Sequence, residues 1–213
     1  GSRWHASDCP GWGRSLPASA TAARCGPSRK STEGGRGLGI VTATTHLLFF
    51  AFWPDQCLRQ ALDTARNRLF PLSGRPVAAA GLHVTTAFLG AVSEARLPAL
   101  LALCGPVPPF TITFDRLEHW PKPRVLVAAT THLRDDLREC VDGLWQRLDR
   151  LGFARETRPF RPHVTLARDV RSVRAGLRWD PLPWPVERLA LVESVPTPEG
   201  VAYRPVTAAA VAG

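Results

Sequence analysis

The tripeptide His-Val-Thr occurs twice in this chain, and each copy opens an apolar, strand-like stretch. The first copy begins HVTTAFLG at His83, and the second begins HVTLARDV at His163, 80 positions later. Because side chains alternate between the two faces of a strand, the His and the Thr of each copy point the same way. If the two strands lie side by side, two imidazoles and two hydroxyls face one space, which limits the folds open to the chain.

Other strand-like and helix-like segments surround the two copies. The runs HLLFFAFWP, PVERLALVESV and VAYRPV predict strands, and FTITFDRLEHW and RVLVAAT predict a hairpin around PKP. SEARLPALLALC predicts a helix from Ser93. Two longer helices are predicted by apolar stripes, with Leu58, Leu62, Ala65 and Leu69 in the first and Leu137, Val141, Leu144, Leu148 and Leu151 in the second. This order of elements indicates an α+β fold.

Residues 1–45 differ in composition from the rest of the chain. They contain eight Gly, three Pro, and six basic against two acidic residues, and no helical or strand period persists in them. We therefore expect a flexible basic Gly/Pro/Ser-rich extension at 1–45, opened by a Gly-Ser scar of tag removal, and a folded domain at 46–213. A length of 213 residues suits one domain or two closely joined lobes.

The charge of the chain is compatible with an anionic partner. The formal net charge is +9, and arginine supplies nearly all of the basic residues. The planar guanidinium fork suits phosphate oxygens and stacks on bases. A solvated arginine-rich surface explains the same charge equally well, so charge alone names no partner.

Cysteine usage and hydropathy bear on where the protein works. The five cysteines are an odd number without a CxxC pair, which argues against a disulfide framework or a zinc knuckle. No apolar run approaches the roughly 18 residues that span a bilayer, and no signal-peptide pattern is present. We expect a cytoplasmic protein with no membrane association.

The two histidines suit acid–base chemistry at a phosphate. Imidazole titrates near pH 6.5, so one ring can hold a proton while the other is free. One ring then activates one oxygen as a general base, and the other protonates a second oxygen as a general acid. The hydroxyls of Thr85 and Thr165 would donate hydrogen bonds to a charged oxygen between the rings. In-line displacement at phosphorus uses all of these groups, and it needs no metal if the charge of the phosphate is otherwise held.

Two further candidate residues would point away from the space between the histidines if their strands were regular. Arg168 follows Thr165 by three positions and Phe88 follows His83 by five, so a regular strand would send both to the opposite face. A β-bulge would return them to the cleft, where Arg168 would bind phosphate and Phe88 would stack on a base. Arg158 and Arg161 also precede the second copy closely.

Simpler interpretations stand beside this one. A single His on a strand is more often a structural hydrogen-bonding residue, Val-Thr is favourable strand sequence, and Phe88 suits a core. Paired histidines also suggest a metal, but a zinc site needs at least three protein ligands and no carboxylate or Cys clusters beside either copy. We expect no metal and no cofactor. His5, His46, His119 and His132 have no partner motif and are expected to be structural.

The two copies in their flanking sequence resemble the 2H phosphoesterase superfamily, which is defined by paired His-x-Thr/Ser motifs. LLFFAFWP, GRPVAAAGLHVTTAFLG and RPFRPHVTLAR together resemble its RNA 2′,3′-cyclic phosphodiesterase branch, historically called 2′-5′ RNA ligase. The similarity covers roughly residues 46–206. It implies a LigT-like α+β fold of two pseudo-symmetric lobes, each an antiparallel sheet with flanking helices, around a central cleft.

The resemblance also implies an activity and a role for each site residue. Members open a terminal 2′,3′-cyclic phosphate of RNA, or a cyclic nucleotide, to a 2′-phosphate without metal. His163 would be the general base and His83 the general acid. The phosphate would be held by Thr85, Thr165 and Arg168, with Phe88 stacking on the base. We expect the protein to act as a monomer.

One position departs from the family pattern, and three functions remain open. Thr86 stands where members usually have an aliphatic residue, and strand alternation points it away from the cleft, so we expect only a small packing effect. The first function is the metal-independent cyclic phosphodiesterase. The alternatives are a 2′-5′ RNA ligase or 2′-5′ phosphodiesterase, and a non-catalytic module that binds RNA ends.

Overall fold

In the computed structural model, which describes residues 44–198 and 200–207, the chain forms two antiparallel sheets with helices. The α+β class is therefore confirmed. The strands are β1 (Thr45–Phe52), β2 (Arg75–Pro76), β3 (Val84–Ser93), β4 (Gly105–Phe114), β5 (Arg116–Trp120), β6 (Val125–Ala129), β7 (His163–Arg168), β8 (Leu182–Thr197) and β9 (Gly200–Pro205). The helices are α1 (Gln56–Asn67), α2 (Leu97–Leu101) and α3 (Asp135–Arg150).

Each sheet forms one lobe and carries one copy of the His-Val-Thr sequence. The first sheet has the strand order β3-β1-β8-β4, with β9 paired to β8, and the second has the order β2-β7-β6-β5. His83 immediately precedes β3, and His163 is the first residue of β7. The predicted two-lobed arrangement is therefore confirmed.

The two long helices form where the apolar stripes predict them. Asp55 caps α1, because its side-chain oxygen accepts a hydrogen bond of 2.7 Å from the backbone N–H of Leu58. In α3 the predicted stripe is buried as far as Leu148. Gly152 follows the helix with a φ of 78°, a conformation that glycine adopts without steric cost at a helix end.

Two predicted elements have different limits in the structure. FTITFDRLEHW is not one strand, because the chain leaves the first sheet at Asp115 and enters the second as β5. The Asp115 side chain accepts hydrogen bonds from the backbone N–H and the hydroxyl of Thr131, which fixes this crossover. The helix predicted from Ser93 is only the short α2, preceded by a 3₁₀ turn at Glu94–Arg96.

The core lies between the sheets and the helices, and the other face of each sheet carries a smaller apolar cluster. In the first sheet that cluster is Phe49, Ala51 and Val192, with Trp53 and Tyr203 packed against it. In the second sheet it is Val125, Val127 and Ala129, with Trp120 packed against it. We call these two surfaces the cleft faces, because each carries one of the two histidines.

Other expectations meet the structure only in part. Cys104 and Cys140 are free and half-buried, whereas Cys57 is disulfide-bonded. Within the described residues, no helix is both long and apolar enough to cross a membrane. Of the predicted extension at 1–45, residues 1–43 lie outside the described part of the chain.

Candidate active site

A β-bulge follows the threonine of the first His-Val-Thr copy. Thr85 pairs with Ala51 and Ala87 pairs with Phe50, so Thr86 is the extra residue on β3. Thr86 and Ala87 are consequently both buried, although they are neighbours in a strand. The bulge resets the alternation of the strand, and Phe88 pairs with Phe49 of the cleft face.

The second copy repeats this irregularity at the corresponding position. Thr165 pairs with Val127 and Ala167 pairs with Leu126, which leaves Leu166 as the extra residue on β7. Leu166 and Ala167 are both fully buried. The next residue, Arg168, is exposed and lies on the side of the strand that carries Thr165.

Phe88 and Arg168 therefore occupy equivalent places in the two lobes, five residues after the respective histidine. Phe88 has 48% of its surface exposed, which is unusual for a large apolar side chain and argues against a core role. The structure brings both residues back to the cleft side, as the sequence analysis required. One lobe thus presents an aromatic ring where the other presents a guanidinium.

His83 is fixed by its own backbone and enclosed by aromatic rings. Its Nδ1 lies 2.8 Å from the carbonyl oxygen of Gly81, and its Nε2 lies 3.1 Å from the hydroxyl of Thr85. Since a carbonyl only accepts, Nδ1 carries the proton and Nε2 carries the lone pair in the neutral ring. The ring is stacked at 5.6 Å on Trp53 and lies 4.9 Å from Phe49.

His163 is fixed in the same way in the second lobe. Its Nδ1 lies 2.8 Å from the carbonyl oxygen of Arg161, again two residues earlier, so its Nε2 also carries the lone pair. One aromatic ring, that of Trp120, packs against it at 4.6 Å. Thr165 follows two positions later, is half-buried and shares the strand face of His163.

Burial, together with nearby charges, lowers the pKa of both imidazoles. Burial lowers the pKa of His83 to about 4, the Gly81 hydrogen bond opposes this, and the charges of His163 and Arg168 lower it further. Burial also lowers the pKa of His163, and Arg161 and Arg168 add to the decrease. Both rings are therefore neutral at pH 7 in the free site, and Arg168 acts on both.

Glu118 anchors the surroundings of His163. Its carboxylate accepts hydrogen bonds from Trp120 Nε1 at 2.7 Å and from Arg161 Nη2 at 2.6 Å. Burial alone would raise the pKa of this carboxyl, but hydrogen bonds from Trp120 and Arg116 and the charges of Arg161 and Arg116 lower it. An ionised Glu118 thus holds both residues that touch His163.

A pocket of about 390 Å³ opens beside His163. Thr85, Phe88 and His163 line it, so it is continuous with the site. Its other walls combine aromatic and cationic side chains, among them Trp120, Phe160, Arg155, Arg158 and Arg161. Planar apolar surfaces next to guanidinium groups suit a nucleobase joined to phosphate.

Two histidines outside the two copies have hydrogen-bond partners within the fold. His46 Nδ1 lies 2.7 Å from Glu193 Oε1, and His119 Nε2 lies 3.0 Å from the carbonyl oxygen of Val170. His5 lies outside the described residues. In the described part of the chain, no three His, Cys, Asp or Glu side chains are grouped so that they could hold a metal ion.

Sequence reasoning missed several residues of this site. Trp53, Trp120, Tyr203 and Glu118 all contact a histidine or hold a residue that does. Each of them lies far in sequence from the histidine that it surrounds. The position of Trp120 at the end of a predicted hairpin was the one available signal, and nothing in the sequence pointed to Tyr203.

The fold and the paired histidines define a two-lobed phosphoesterase site, and comparison with known proteins gives the family. Residues 53–197 match the model of the 2′-5′ RNA ligase superfamily. The chain belongs to this superfamily, which confirms the resemblance found in its sequence.

Individual relatives carry the same similarity. The chain is 38% identical over 125 residues to the RNA 2′,3′-cyclic phosphodiesterase of Escherichia coli, covering 57% of this chain and 71% of that one. It is 33% identical over 175 residues to the protein of the same name from Thermus thermophilus, covering 73% and 85%. A crystal structure of E. coli LigT complexed with 3′-AMP superposes with a TM-score of 0.66 at 32% identity, covering 77% of this chain and 97% of that chain.

Proposed function

We propose that the protein is an RNA 2′,3′-cyclic phosphodiesterase that opens a terminal 2′,3′-cyclic phosphate to a 2′-phosphate by two-histidine acid–base catalysis. One observation carries the proposal. In His83 and His163 alike, a backbone carbonyl fixes Nδ1–H, and Nε2 is the atom left for chemistry. The names of the relatives from E. coli and T. thermophilus support the choice of reaction.

The reaction balances with two proton transfers and one displacement. Nε2 of His163 takes a proton from water as its oxygen attacks phosphorus, and a new P–O bond forms. The P–O3′ bond breaks on the opposite side, and Nε2–H of His83 gives its proton to the departing 3′-oxygen. The products are a 2′-phosphate and a free 3′-hydroxyl. Thr85, Thr165 and Arg168 hold the non-bridging oxygens.

Protonation of His83 is coupled to substrate binding. The pKa of about 4 in the free site leaves this ring neutral at pH 7, whereas a general acid must carry a proton. A cyclic phosphate brings a negative charge beside the ring, which favours imidazolium and offsets the charge of Arg168. The substrate thereby raises the pKa of the acid that it needs.

The pocket beside His163 supports an RNA partner. Phe88 is exposed at its edge and offers a face for the terminal base. Arg155 pairs with Asp142 at 2.6 Å, and Arg158 lies 3.6 Å from Glu156, so both guanidinium groups are partly neutralised and face solvent. Their side chains are in place to exchange these partners for RNA phosphates.

The proposal is tested with a short RNA that ends in a 2′,3′-cyclic phosphate, incubated with the full chain in the presence of EDTA. We expect conversion to a 2′-phosphate. This ring-opened product is identified by its resistance to a phosphatase that removes only 3′-phosphates. Joining of this RNA to an added 5′-hydroxyl RNA in place of hydrolysis would indicate the ligase. Tight binding of the RNA end without turnover would indicate a binding module, and either result would contradict the proposal.

A further inference from the structure

Tyr203 on β9 reaches the cleft from the edge of the first sheet. Its ring packs edge-to-face with the His83 ring, at 4.8 Å between ring centroids, and with the Phe49 ring, at 5.5 Å. The ring also packs over Gly81, where an added Cβ would lie 3.3 Å from a ring carbon. The carbonyl of Gly81 is the group that fixes Nδ1 of His83. Tyr203 therefore packs on the residues that orient one of the two imidazoles.

The phenol oxygen is joined to the guanidinium of the site. Arg168 Nη2 donates a hydrogen bond of 3.0 Å to the Tyr203 hydroxyl. Arg168 belongs to β7 of the second lobe and Tyr203 to β9 of the first, so this bond crosses the cleft. The charge of Arg168 acts on both histidines, which places the phenol oxygen beside the same charged centre.

The hydrogen bond leaves the phenol with an unused donor. A tyrosine hydroxyl has one O–H donor and accepts through its lone pairs. Here a lone pair accepts from Arg168, and no described residue accepts a hydrogen bond from the O–H. An O–H beside a guanidinium in a cleft that faces two imidazoles suits one kind of partner, an anionic oxygen.

We propose that Tyr203 is a phosphate-binding residue, whose hydroxyl donates a hydrogen bond to a non-bridging oxygen of the same phosphoryl group that Arg168 holds. The inference rests on the proposed function for the identity of the substrate, and on the Arg168 contact for its geometry. Tyr203 lies beyond residues 53–197, the part of the chain that matches the family model. Its hydroxyl acts together with Arg168, because the guanidinium fixes the direction of the remaining O–H.

Two substitutions on β9 distinguish the effect of the Tyr203 hydroxyl from a general effect of changing this strand. Tyr203→Phe keeps the ring against His83 and removes only the O–H. Val201→Ala is the matched control, because Val201 lies two residues earlier on the same strand and is 54% exposed. We expect Tyr203→Phe to weaken binding of inorganic phosphate and of a nucleoside 2′-monophosphate by about tenfold, the usual effect of losing a hydrogen bond to a charged group. Val201→Ala should bind both as the wild type does.

The chain contains a single tyrosine, so 3-fluorotyrosine labels this position alone. We expect the one ¹⁹F resonance of the labelled protein to shift as phosphate is added, and to follow the same binding curve as the ligand. A resonance that saturating phosphate leaves unmoved would overturn the proposal, as would Tyr203→Phe binding phosphate within twofold of the wild type. These measurements need no turnover, so an inactive wild type would refute the proposed function and leave this test intact.

Discussion

Each imidazole of the site is held by the carbonyl two residues before it, Gly81 for His83 and Arg161 for His163. The bond fixes the tautomer and the ring orientation, and it directs Nε2 into the cleft. The two rings differ in their surroundings. Aromatic rings enclose His83, whereas His163 has Trp120 on one side and charged groups nearby. The two rings therefore have equivalent backbone hydrogen bonds but different neighbouring groups.

Removal of either imidazole should disable the reaction. We expect His83→Gln and His163→Gln each to lower kcat at least about 100-fold, because each removes one proton transfer. His46→Gln is the control, since His46 pairs with Glu193 and lies outside the site. Near-normal turnover in either site variant, measured on the cyclic-phosphate RNA, would contradict the two-histidine mechanism.

The lowered pKa of His83 also makes folding depend on pH. In the unfolded chain this ring takes up a proton near pH 6.5, but in the folded protein it does so near pH 4. Between these values the unfolded state binds more protons, so stability falls as the pH falls, by up to about 3 kcal/mol from this ring. Chemical denaturation at pH 7 and at pH 4.5 should show a smaller loss for His83→Gln than for the wild type. An equal loss in both proteins would contradict the buried, neutral ring.

At the scale of the strand, one bulge in each lobe decides which residues reach the site. Thr86 and Leu166 are the extra residues of β3 and β7, and each follows the threonine of its motif. Without them, the regular alternation of a strand would turn Phe88 and Arg168 away from the cleft. The residue after each His-x-Thr is thus a buried structural position.

Substitution by valine should change mainly the stability of the protein at Thr86 and mainly its activity at the neighbouring Thr85. Thr86 is buried, and its hydroxyl oxygen has no hydrogen-bond partner among the described residues. Thr86→Val removes this unsatisfied group at nearly constant shape, so we expect unchanged kcat/KM and a gain of about 1 kcal/mol in the free energy of unfolding. Thr85→Val should instead lower kcat/KM about tenfold with little change in stability. Loss of activity in Thr86→Val would show that its hydroxyl serves the site.

The sequence predicted most helices and strands well, and it predicted the surroundings of the two histidines poorly. Local periodicity identifies α1, α3 and the strands, because burial of one face leaves a repeat in the chain. A bulge leaves no such repeat in the sequence. The sequence therefore showed that Phe88 and Arg168 need a bulge to reach the cleft, but it did not show that a bulge is present. Tyr203 and Trp53 contact His83 through strand pairing over long distances, which no local pattern reports.

At the scale of the whole molecule, the site exists only where the two lobes meet. His83 and Phe88 come from the first sheet, His163 and Arg168 from the second, and the Arg168–Tyr203 bond joins them. The net charge of the chain is +9, which favours anionic partners. Arg155, Arg158 and Arg161 line the pocket beside His163 and add positive charge there.

The dependence of KM on salt concentration should therefore differ between long and short substrates. Each RNA phosphate neutralised by an arginine releases counterions, so KM rises with ionic strength in proportion to the number of such contacts. We expect KM for an oligonucleotide with a 2′,3′-cyclic phosphate end to rise more steeply with salt than KM for a cyclic mononucleotide. Equal slopes for the two substrates would contradict a role for Arg155, Arg158 and Arg161 in RNA binding.

The central claim, that one protonated and one neutral histidine act on the same phosphate, is tested most directly by the pH dependence of kcat/KM for the cyclic-phosphate RNA. This quantity reports the free protein, in which the pKa of His83 is about 4 and that of His163 lies below its ordinary value of 6.5. We predict a bell-shaped profile that already falls about tenfold per pH unit above pH 6.5, with His83→Gln losing the alkaline limb and His163→Gln the acid limb. A kcat/KM that stays constant above pH 6.5, or a profile that neither substitution changes, would contradict the account.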